Sequence, residues 1–257
     1  MPRRLKNRVE AGRLLARKLI DYTDRTDTIV LGLPRGGVPV AFEIAQALNL
    51  PLDICLVRKL GVPGNEELAM GAIAMGGIIA IDEEVVETHR IAQDVFDAVV
   101  RREWEELVRR YRVYKGETIE ETAIDWRIHF SSVARLRRGQ CHIETLNSPD
   151  LSIAHPSAEN FFAKHLIVVD DGVATGSTLY AALTTLKPQQ PKSIAVALPV
   201  APPSICKQLK TQVDRVECWI SPQPLHCIGM WYDDFSATSD REVCDLLDRA
   251  DSMLLSL

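Results

Sequence analysis

The sequence lacks the patterns that would assign it to a zinc-binding, disulfide-stabilised or membrane-spanning class. Its six cysteines are scattered and none forms a C-x-x-C pair, so we expect neither a zinc site nor a disulfide framework. No apolar run reaches the roughly 18 residues that a membrane span needs. The charged segment Met1–Glu10 has no apolar core, so we expect no secretory signal and predict a cytoplasmic protein without membrane contacts.

The net charge and the glycine patterns argue against three further classes of protein. The formal net charge of -5 argues against a general nucleic-acid binder, because phosphate backbones require a cationic face. The absence of Gly-x-x-x-x-Gly-Lys-Ser/Thr excludes a P-loop NTPase, and no Gly-x-Gly-x-x-Gly follows the first predicted strand, which excludes a Rossmann dehydrogenase. The 46% of apolar and 25% of charged residues are typical of a globular protein, and 257 residues suffice for one large domain.

Short apolar runs alternate with helical patterns, which is typical of an α/β fold with an open, mostly parallel sheet flanked by helices. The first run, Thr28–Leu33, leads into a loop at Pro34–Gly37, and a helix over about 38–48 connects it to a second strand at 52–57. This β-loop-α-β order predicts a right-handed crossover. The other predicted strands are 165–169, 193–200 and 215–220, and the other predicted helices are 9–19, 177–186, 204–209 and 240–255.

The middle of the chain gives weaker signals. Two glycines and one proline among charges predict an exposed loop over Arg58–Glu67, and Ala72–Ile81 predicts a hairpin that turns at Gly76-Gly77. We predict that 82–163 is an insertion within the single domain, helical over 82–115 and irregular over 116–163. Four residues of the irregular part could be imagined as metal ligands, but their spacing fits no standard site. They are His129, Cys141, His142 and His155.

The most informative segment is the strand 165–169 with the turn that follows it. The strand delivers Asp170 and Asp171 to the carboxyl edge of the sheet, where open α/β sheets bind their ligands. The turn Gly172–Thr178 then opens a helix, whose free N–H groups and dipole favour a phosphate group. The segment therefore predicts an anion site that has two carboxylates beside it.

Carboxylates beside a phosphate cradle make chemical sense if the ligand contains a sugar. They accept hydrogen bonds from ribose hydroxyls, directly or through Mg²⁺. The alternative interpretation is an acidic turn before an ordinarily capped helix. That alternative does not explain the complete combination of strand, two acids, small-residue turn and helix, so we predict a phosphate and ribose site.

The segment Val168–Thr178 resembles the signature with which type I phosphoribosyltransferases bind 5-phosphoribosyl-1-pyrophosphate (PRPP). Leu33–Gly37 is similar to the pyrophosphate loop of that family, and Arg58–Glu67 occupies the place of its flexible catalytic loop. A bacterial subgroup of loosely characterised members is more similar still, although residues 115–163 depart from it. The runs shared with this subgroup are Leu33–Val40, Arg58–Gly64 and Trp231–Phe235.

The resemblance implies a type I phosphoribosyltransferase fold with a C-terminal hood at 221–240. It implies an enzyme that transfers the phosphoribosyl group of PRPP to a nitrogenous base and releases pyrophosphate. It also implies Mg²⁺ as the cofactor, and a homodimer, which is common in this fold.

The resemblance further assigns roles to individual residues. Arg58 and Lys59 are expected to neutralise the leaving pyrophosphate, although plain surface charges are the alternative for such a pair. Catalysis is assigned to Arg58, Lys59, Asp170 and Asp171, and metal contacts, mostly through water, to Asp170, Asp171 and Asp233. The PRPP-binding residues are Arg35, Gly36, Gly37, Asp170, Asp171, Gly172, Val173, Ala174, Thr175, Gly176, Ser177 and Thr178.

The sequence gives fewer indications of the acceptor base than of the PRPP site. His226, Trp231 or Tyr232 could stack on it and Asp233 could contact it, with a place in the core as the alternative for the aromatic rings. Enzymes that act on 6-oxopurines have an acid where this chain has Ala174 and a lysine where it has Ala201-Pro202-Pro203, which argues against guanine and hypoxanthine. A regulator that binds PRPP without catalysis is the alternative function, and the predicted closing loop favours the enzyme.

Overall fold

The computed structural model describes residues 4–75, 78–116, 132–137, 140–145 and 161–254. The chain divides into two compact units. The first comprises Met1–Cys55, Phe161–Leu179 and Pro191–Leu257, and the second comprises Leu56–Asn160 and Tyr180–Gln190. Each unit contains a five-stranded sheet.

The sheet of the first unit is parallel throughout and has the strand order β10-β9-β8-β1-β2. Its strands alternate with helices along the chain, and these observations confirm the predicted α/β class with an open parallel sheet. The strands are β1 (Thr28–Gly32), β2 (Leu52–Ile54), β8 (His165–Val169), β9 (Ser193–Val200) and β10 (Arg215–Ile220).

The central pair of this sheet, β1 and β8, determines where the site forms. All five residues of β1 are buried, as are Leu166–Val169 of β8, which explains why both read as unbroken apolar runs. Their register places Gly32 opposite Val169. The two loops that follow these strands therefore begin side by side at the carboxyl edge of the sheet.

Helices surround this sheet, and the first two begin or end where the sequence provides a reason. The Asn7 side chain accepts a hydrogen bond from Glu10 N and caps α1 (Arg8–Lys18), as asparagine commonly does. The second helix, α2 (Gly37–Leu48), ends at Asn49 in the left-handed conformation. The remaining helices with residues in this unit are α5 (Ser177–Leu186), which continues into the second unit, α6 (Pro203–Leu209) and α7 (Asp240–Leu254).

The second unit has the strand order β3-β4-β5-β6-β7, in which only β5 and β6 are parallel neighbours. The helix α4 (Gln93–Lys115) packs on β3 and β4 and buries Trp104 and Tyr111. No helix in the described part of the chain has the length and apolar composition that crossing a bilayer requires. The other elements are β3 (Val57–Val62), β4 (Asn65–Ala74), β5 (Ile78–Asp82), β6 (Ser132–Arg137), β7 (Gln140–Thr145) and α3 (Glu83–Thr88).

Two predictions for the middle of the chain need correction. Arg58–Glu67 is not an exposed loop, because β3 and β4 pair as an antiparallel hairpin with register shifts near Gly61. The stretch 116–163 is not irregular throughout, since β6 and β7 lie within it. Gly76-Gly77, the predicted turn, and His129 and His155 lie outside the described residues.

Candidate functional site

The loop after β1 lies directly against the beginning of the turn after β8. Leu33 N donates a 2.9 Å hydrogen bond to Val169 O, and Gly37 N donates one of 3.0 Å to Leu33 O. A Cβ atom added to Gly37 would lie 2.5 Å from Val169 O and 2.9 Å from the Cα of Asp170. Glycine at this position therefore allows the two backbones to approach each other.

Gly36 makes room for a carboxylate. A Cβ atom added there would lie 2.0 Å from Oδ2 of Asp171, so any other side chain would collide with this acid. The neighbouring Arg35 is half exposed, and its Nη1 lies 3.9 Å from Oδ1 of Asp240. The structure thus brings the predicted pyrophosphate loop and the second predicted acid together.

The ion-pair partner of Asp171 is Arg8, a residue to which no sequence pattern assigns a role. Arg8 donates hydrogen bonds to Asp171 Oδ2 from Nε at 2.9 Å and from Nη2 at 2.7 Å. The two side chains are only 12% and 14% exposed, respectively. Two donors on one oxygen make this a charge-assisted contact with a defined orientation.

Asp170 lies beside this ion pair and has a different electrostatic environment. Its Oδ1 accepts a 2.9 Å hydrogen bond from Asp171 N. Burial, followed by the negative charge of Asp171, raises the pKa of the Asp170 carboxyl well above its usual range. Arg8 hydrogen-bonds Asp171, whereas Asp170 accepts its hydrogen bond from the backbone, so a cation or a hydroxyl donor beside Asp170 can stabilise its ionised form.

The rest of the predicted signature forms a turn that opens α5. A Cβ atom on Gly172 would lie 2.4 Å from Cγ2 of Ile228, and Val173 N donates a 2.8 Å hydrogen bond to Val200 O. Gly176 has a φ of 85°, a left-handed conformation that favours glycine. The helix begins at Ser177, so the free amides of its first turn lie next to the two acids in sequence.

Tyr232 is a structural residue of this site. Its ring is buried and stacks on Phe235 with 4.9 Å between the ring centroids. Its hydroxyl donates a 2.6 Å hydrogen bond to Asp171 O, and burial raises the pKa of the phenol. Tyr232 therefore fixes the backbone of Asp171 and has no exposed ring face on which a base could stack.

The predicted hood is held by the segment that precedes α1. Leu5 N donates a 2.9 Å hydrogen bond to Trp231 O, and Leu5 O accepts one of 2.8 Å from Asp233 N. The Asp233 carboxylate is exposed and lies 3.4 Å from Nε of Arg4. His226 is exposed and lies between β10 and Trp231 in the chain. The roles of His226, Trp231 and Asp233 in base binding stay predictions.

Arg58 and Lys59, the predicted catalytic cations, lie on β3 in the second unit. Arg58 Nε donates a 2.8 Å hydrogen bond to Oε2 of Glu103, whose side chain is buried on α4. Arg102 Nε donates one of 3.0 Å to the other oxygen of the same carboxylate. Arg58 thus has a structural partner within its own unit, and the catalytic role of both cations stays a prediction.

The comparisons with known proteins agree with this geometry. A family model described as the phosphoribosyl transferase domain matches residues 139–233, which include both acids and the turn after β8. The solved structure of TT1426 from Thermus thermophilus is 31% identical, covers 95% of this chain and 97% of its own, and superposes with a TM-score of 0.71. The chain belongs to the phosphoribosyl transferase family.

Two family members from Mycobacterium tuberculosis, MT0597 of strain CDC 1551 / Oshkosh and Rv0571c of strain ATCC 25618 / H37Rv, carry provisional phosphoribosyl transferase names. Each is 35% identical over 244 residues, which is 95% of this chain and 46% of the relative. The chain therefore spans about half the length of these curated relatives. Their similarity extends beyond the region that the family model matches and includes the loop after β1.

Proposed function

We propose that this phosphoribosyl transferase moves the phosphoribosyl group of PRPP to a nitrogenous base and releases pyrophosphate. The observation that carries the proposal is the contact between the loop after β1 and the acids after β8. Gly36 lies under the Asp171 carboxylate, and Gly37 lies against the Asp170 backbone. One edge of the sheet therefore offers backbone amides and a cation next to two carboxylates, which suits a ligand with phosphates on both sides of a ribose.

Each part of PRPP has matching chemistry in the first unit. The amide of Gly36 with the half-exposed Arg35 suits the pyrophosphate group, while Gly37, whose amide donates to Leu33 O, lets the loop approach Asp170. The segment 175–178, which leads into α5, suits the 5-phosphate, because free N–H groups at a helix N-terminus bind anions. Asp170 and Asp171 suit the ribose hydroxyls, since carboxylates accept hydrogen bonds.

The acids also fit Mg²⁺. Magnesium in such sites keeps several waters and is held by one or two carboxylates together with phosphates of the substrate. The raised pKa of Asp170 reflects burial and negative charge that lacks compensation, and a divalent cation provides such compensation. When bound, Mg²⁺ would supply positive charge to the pyrophosphate oxygens. Among the described residues no group of three or more acid, histidine or cysteine side chains forms a complete metal cage, so the substrate is expected to contribute ligands.

The transfer depends on positioning of the substrates by the protein more than on covalent chemistry by its side chains. The bond between C1′ and pyrophosphate breaks as positive charge develops on the ribose ring, and a nitrogen atom of the base then forms the new bond. Positioned donors and charges lower the barrier of such a reaction. We propose that Arg35 stabilises the leaving pyrophosphate.

The acceptor is proposed to be a base other than guanine or hypoxanthine. The turn after β8 carries the exposed Ala174, which cannot accept a hydrogen bond from a ring nitrogen. The strand β9 is followed by Ala201-Pro202-Pro203, which offers no cation to an exocyclic oxygen. The exposed Asp233 and the half-buried Trp231, together with His226, are the proposed contacts of the base.

A regulator that binds PRPP without catalysis is the second candidate, and one observation favours it. Arg58 is engaged by Glu103, so one of the two predicted catalytic cations has a structural partner. The two candidates share the ligand and differ in the reaction. Release of pyrophosphate in the presence of a base separates them.

The first experiment is calorimetry of PRPP binding with and without Mg²⁺. We expect magnesium-dependent binding by the wild type, and its loss in the double variant Asp170→Asn/Asp171→Asn. The matched control is Asp245→Asn/Asp248→Asn, which removes two carboxylates from α7 and should bind like the wild type. A folded wild type that does not bind PRPP would refute the proposal.

The second experiment screens bases for pyrophosphate release from PRPP. Pyrophosphate release with at least one purine or pyrimidine base would support the transferase. We expect no release with guanine or hypoxanthine. Binding of PRPP without pyrophosphate release across a full panel of bases would favour the regulator.

A further inference from the structure

We propose that Arg8 is a positioning residue of the ribose site, which holds the Asp171 carboxylate and links it to the hood. This inference rests on the proposed function, because it assigns Asp171 to the ribose of PRPP. Arg8 begins α1 and is separated from Asp171 by most of the chain. A contact over such a distance in sequence requires the folded first unit.

The guanidinium of Arg8 is engaged in three directions. Its Nε and Nη2 donate to Asp171 Oδ2, and its Nη1 donates a 2.7 Å hydrogen bond to Ser236 O. Its central carbon lies 4.1 Å from the centroid of the Phe235 ring, a cation–π contact. The planar fork of arginine suits this combination, and a lysine could not reproduce it.

The Asp171 side chain is confined from more than one side. Arg8 binds Oδ2, while the same oxygen lies over Gly36 of the predicted pyrophosphate loop. The backbone of Asp171 is fixed by the hydroxyl of Tyr232, which stacks on the same Phe235 that Arg8 contacts. These contacts leave the carboxylate one orientation in the described structure.

The burial of both side chains makes the ion pair between Arg8 and Asp171 important for the position of the carboxylate. Exposed ion pairs contribute little, because water screens the charges and both side chains lose freedom. The Arg8 and Asp171 side chains are 12% and 14% exposed, so both partners are largely buried, whereas in the ion pair of Arg13, on the same helix, Arg13 is 65% exposed and only Glu43 is buried, at 10%. Loss of Arg8 would therefore free a mostly buried carboxylate to rotate or to draw in water, and the ribose would lose a preorganised acceptor.

The test compares two ligands that share the pyrophosphate group. PRPP contains the ribose and inorganic pyrophosphate does not, so a defect at Asp171 should affect PRPP more strongly than pyrophosphate, for whose Mg²⁺ Asp170 remains a ligand. We expect Arg8→Gln to weaken PRPP binding at least tenfold in the presence of Mg²⁺ while pyrophosphate binding stays within about twofold of wild type. Arg8→Lys, which keeps the charge but not the fork, should give an intermediate PRPP affinity.

Arg13→Gln is the matched control, because it removes an arginine and an ion pair from the same helix. It should bind both ligands like the wild type. Unchanged PRPP binding by Arg8→Gln would overturn the inference, and an equal loss of both ligands would reduce Arg8 to a general structural role and overturn it as well. A wild type that binds no PRPP would instead refute the proposed function, so the two failures are distinguishable.

Discussion

Arg58 on β3 and Glu103 on α4 form an ion pair that joins a strand to the helix packed on it. The hydrogen bond from Arg58 Nε to Glu103 Oε2 is 2.8 Å long, and the Glu103 side chain is 9% exposed against 32% for Arg58. A carboxylate buried to this extent needs a cation. The residue that the family resemblance assigned to the leaving pyrophosphate therefore also stabilises the second unit.

Removal of the Arg58 charge should destabilise the second unit. We expect Arg58→Met to lower the free energy of unfolding by about 2 kcal/mol, because among the described residues Glu103 then keeps Arg102 alone as a side-chain partner. The double variant Arg58→Met/Glu103→Leu should regain most of this loss, since no buried charge is then left unpaired. Urea denaturation measures both effects, and equal stability of Arg58→Met and wild type would contradict the structural role.

Gly36→Ala should impair ligand binding more than folding. The added Cβ would overlap the Asp171 carboxylate, which must then rotate away from Arg8. We expect PRPP affinity to fall at least tenfold, with a loss of stability of about 1–3 kcal/mol from the local overlap. Gly116→Ala, at the left-handed residue that ends α4, is the control. It should cost about 1 kcal/mol through backbone strain and leave PRPP affinity unchanged. Equal PRPP affinities of Gly36→Ala and wild type would show that the loop tolerates a side chain.

The raised pKa of Asp170 predicts a stability that falls as the pH rises. An aspartate in the unfolded chain titrates at about 3.9. Between that value and the raised value of the folded state, the folded protein holds a proton that the unfolded chain has lost, so increasing pH favours unfolding. Asp170→Asn removes this penalty and should raise the melting temperature of the free protein at neutral pH by a few degrees.

Melting curves between about pH 4 and pH 8, without ligand or Mg²⁺, measure this effect. Asp245→Asn on the exposed face of α7 provides the control, for which we expect the pH profile of the wild type. If Asp170→Asn melts below the wild type at pH 7, the acid is stabilised by contacts that outweigh its burial.

Tyr232→Phe tests the anchoring of the Asp171 backbone. The variant keeps the ring and its stacking on Phe235 but leaves the Asp171 carbonyl without the 2.6 Å hydrogen bond. We expect a loss of about 1–2 kcal/mol in unfolding free energy and a severalfold weaker PRPP affinity. Tyr22→Phe removes a hydroxyl for which no hydrogen bond is found among the described residues, and its effect should be smaller. Equal losses in the two variants would argue against a specific anchor.

The strands of the first sheet could be predicted because burial on both faces leaves an unbroken apolar run in the sequence. The runs at 28–33 and 165–169 correspond to β1 and β8, and the acids follow β8 where a ligand site of a parallel sheet is expected. The hairpin of β3 and β4 escapes such a prediction, because Gly61, Pro63 and Gly64 resemble loop residues. Gly61 instead allows Glu66 to approach the backbone closely, and Gly64 adopts a left-handed conformation in the turn.

The contacts of Arg8 could not be predicted, because no pattern in the neighbouring sequence indicates them. A basic residue at the start of an amphipathic helix is usually a solvated charge, and its partner is separated from it by most of the chain. From the sequence alone, Tyr232 could equally be a ring on which a base stacks. Only the folded chain shows that its hydroxyl donates a hydrogen bond to Asp171 O. Sequence patterns predict which residues face a ligand, whereas the residues behind them become apparent only from tertiary contacts.

The pairing of β1 with β8 has a consequence for biosynthesis. At a translation rate of about 5–20 residues per second, β8 leaves the ribosome roughly 7–27 seconds after β1. During this interval β1, whose five residues are all buried in the finished sheet, has only the short β2 as a neighbour, while β3 and β4 can already close as a hairpin. The nascent chain thus exposes an apolar strand with an unpaired edge until its second half arrives, and such an edge is prone to pairing with other chains during synthesis.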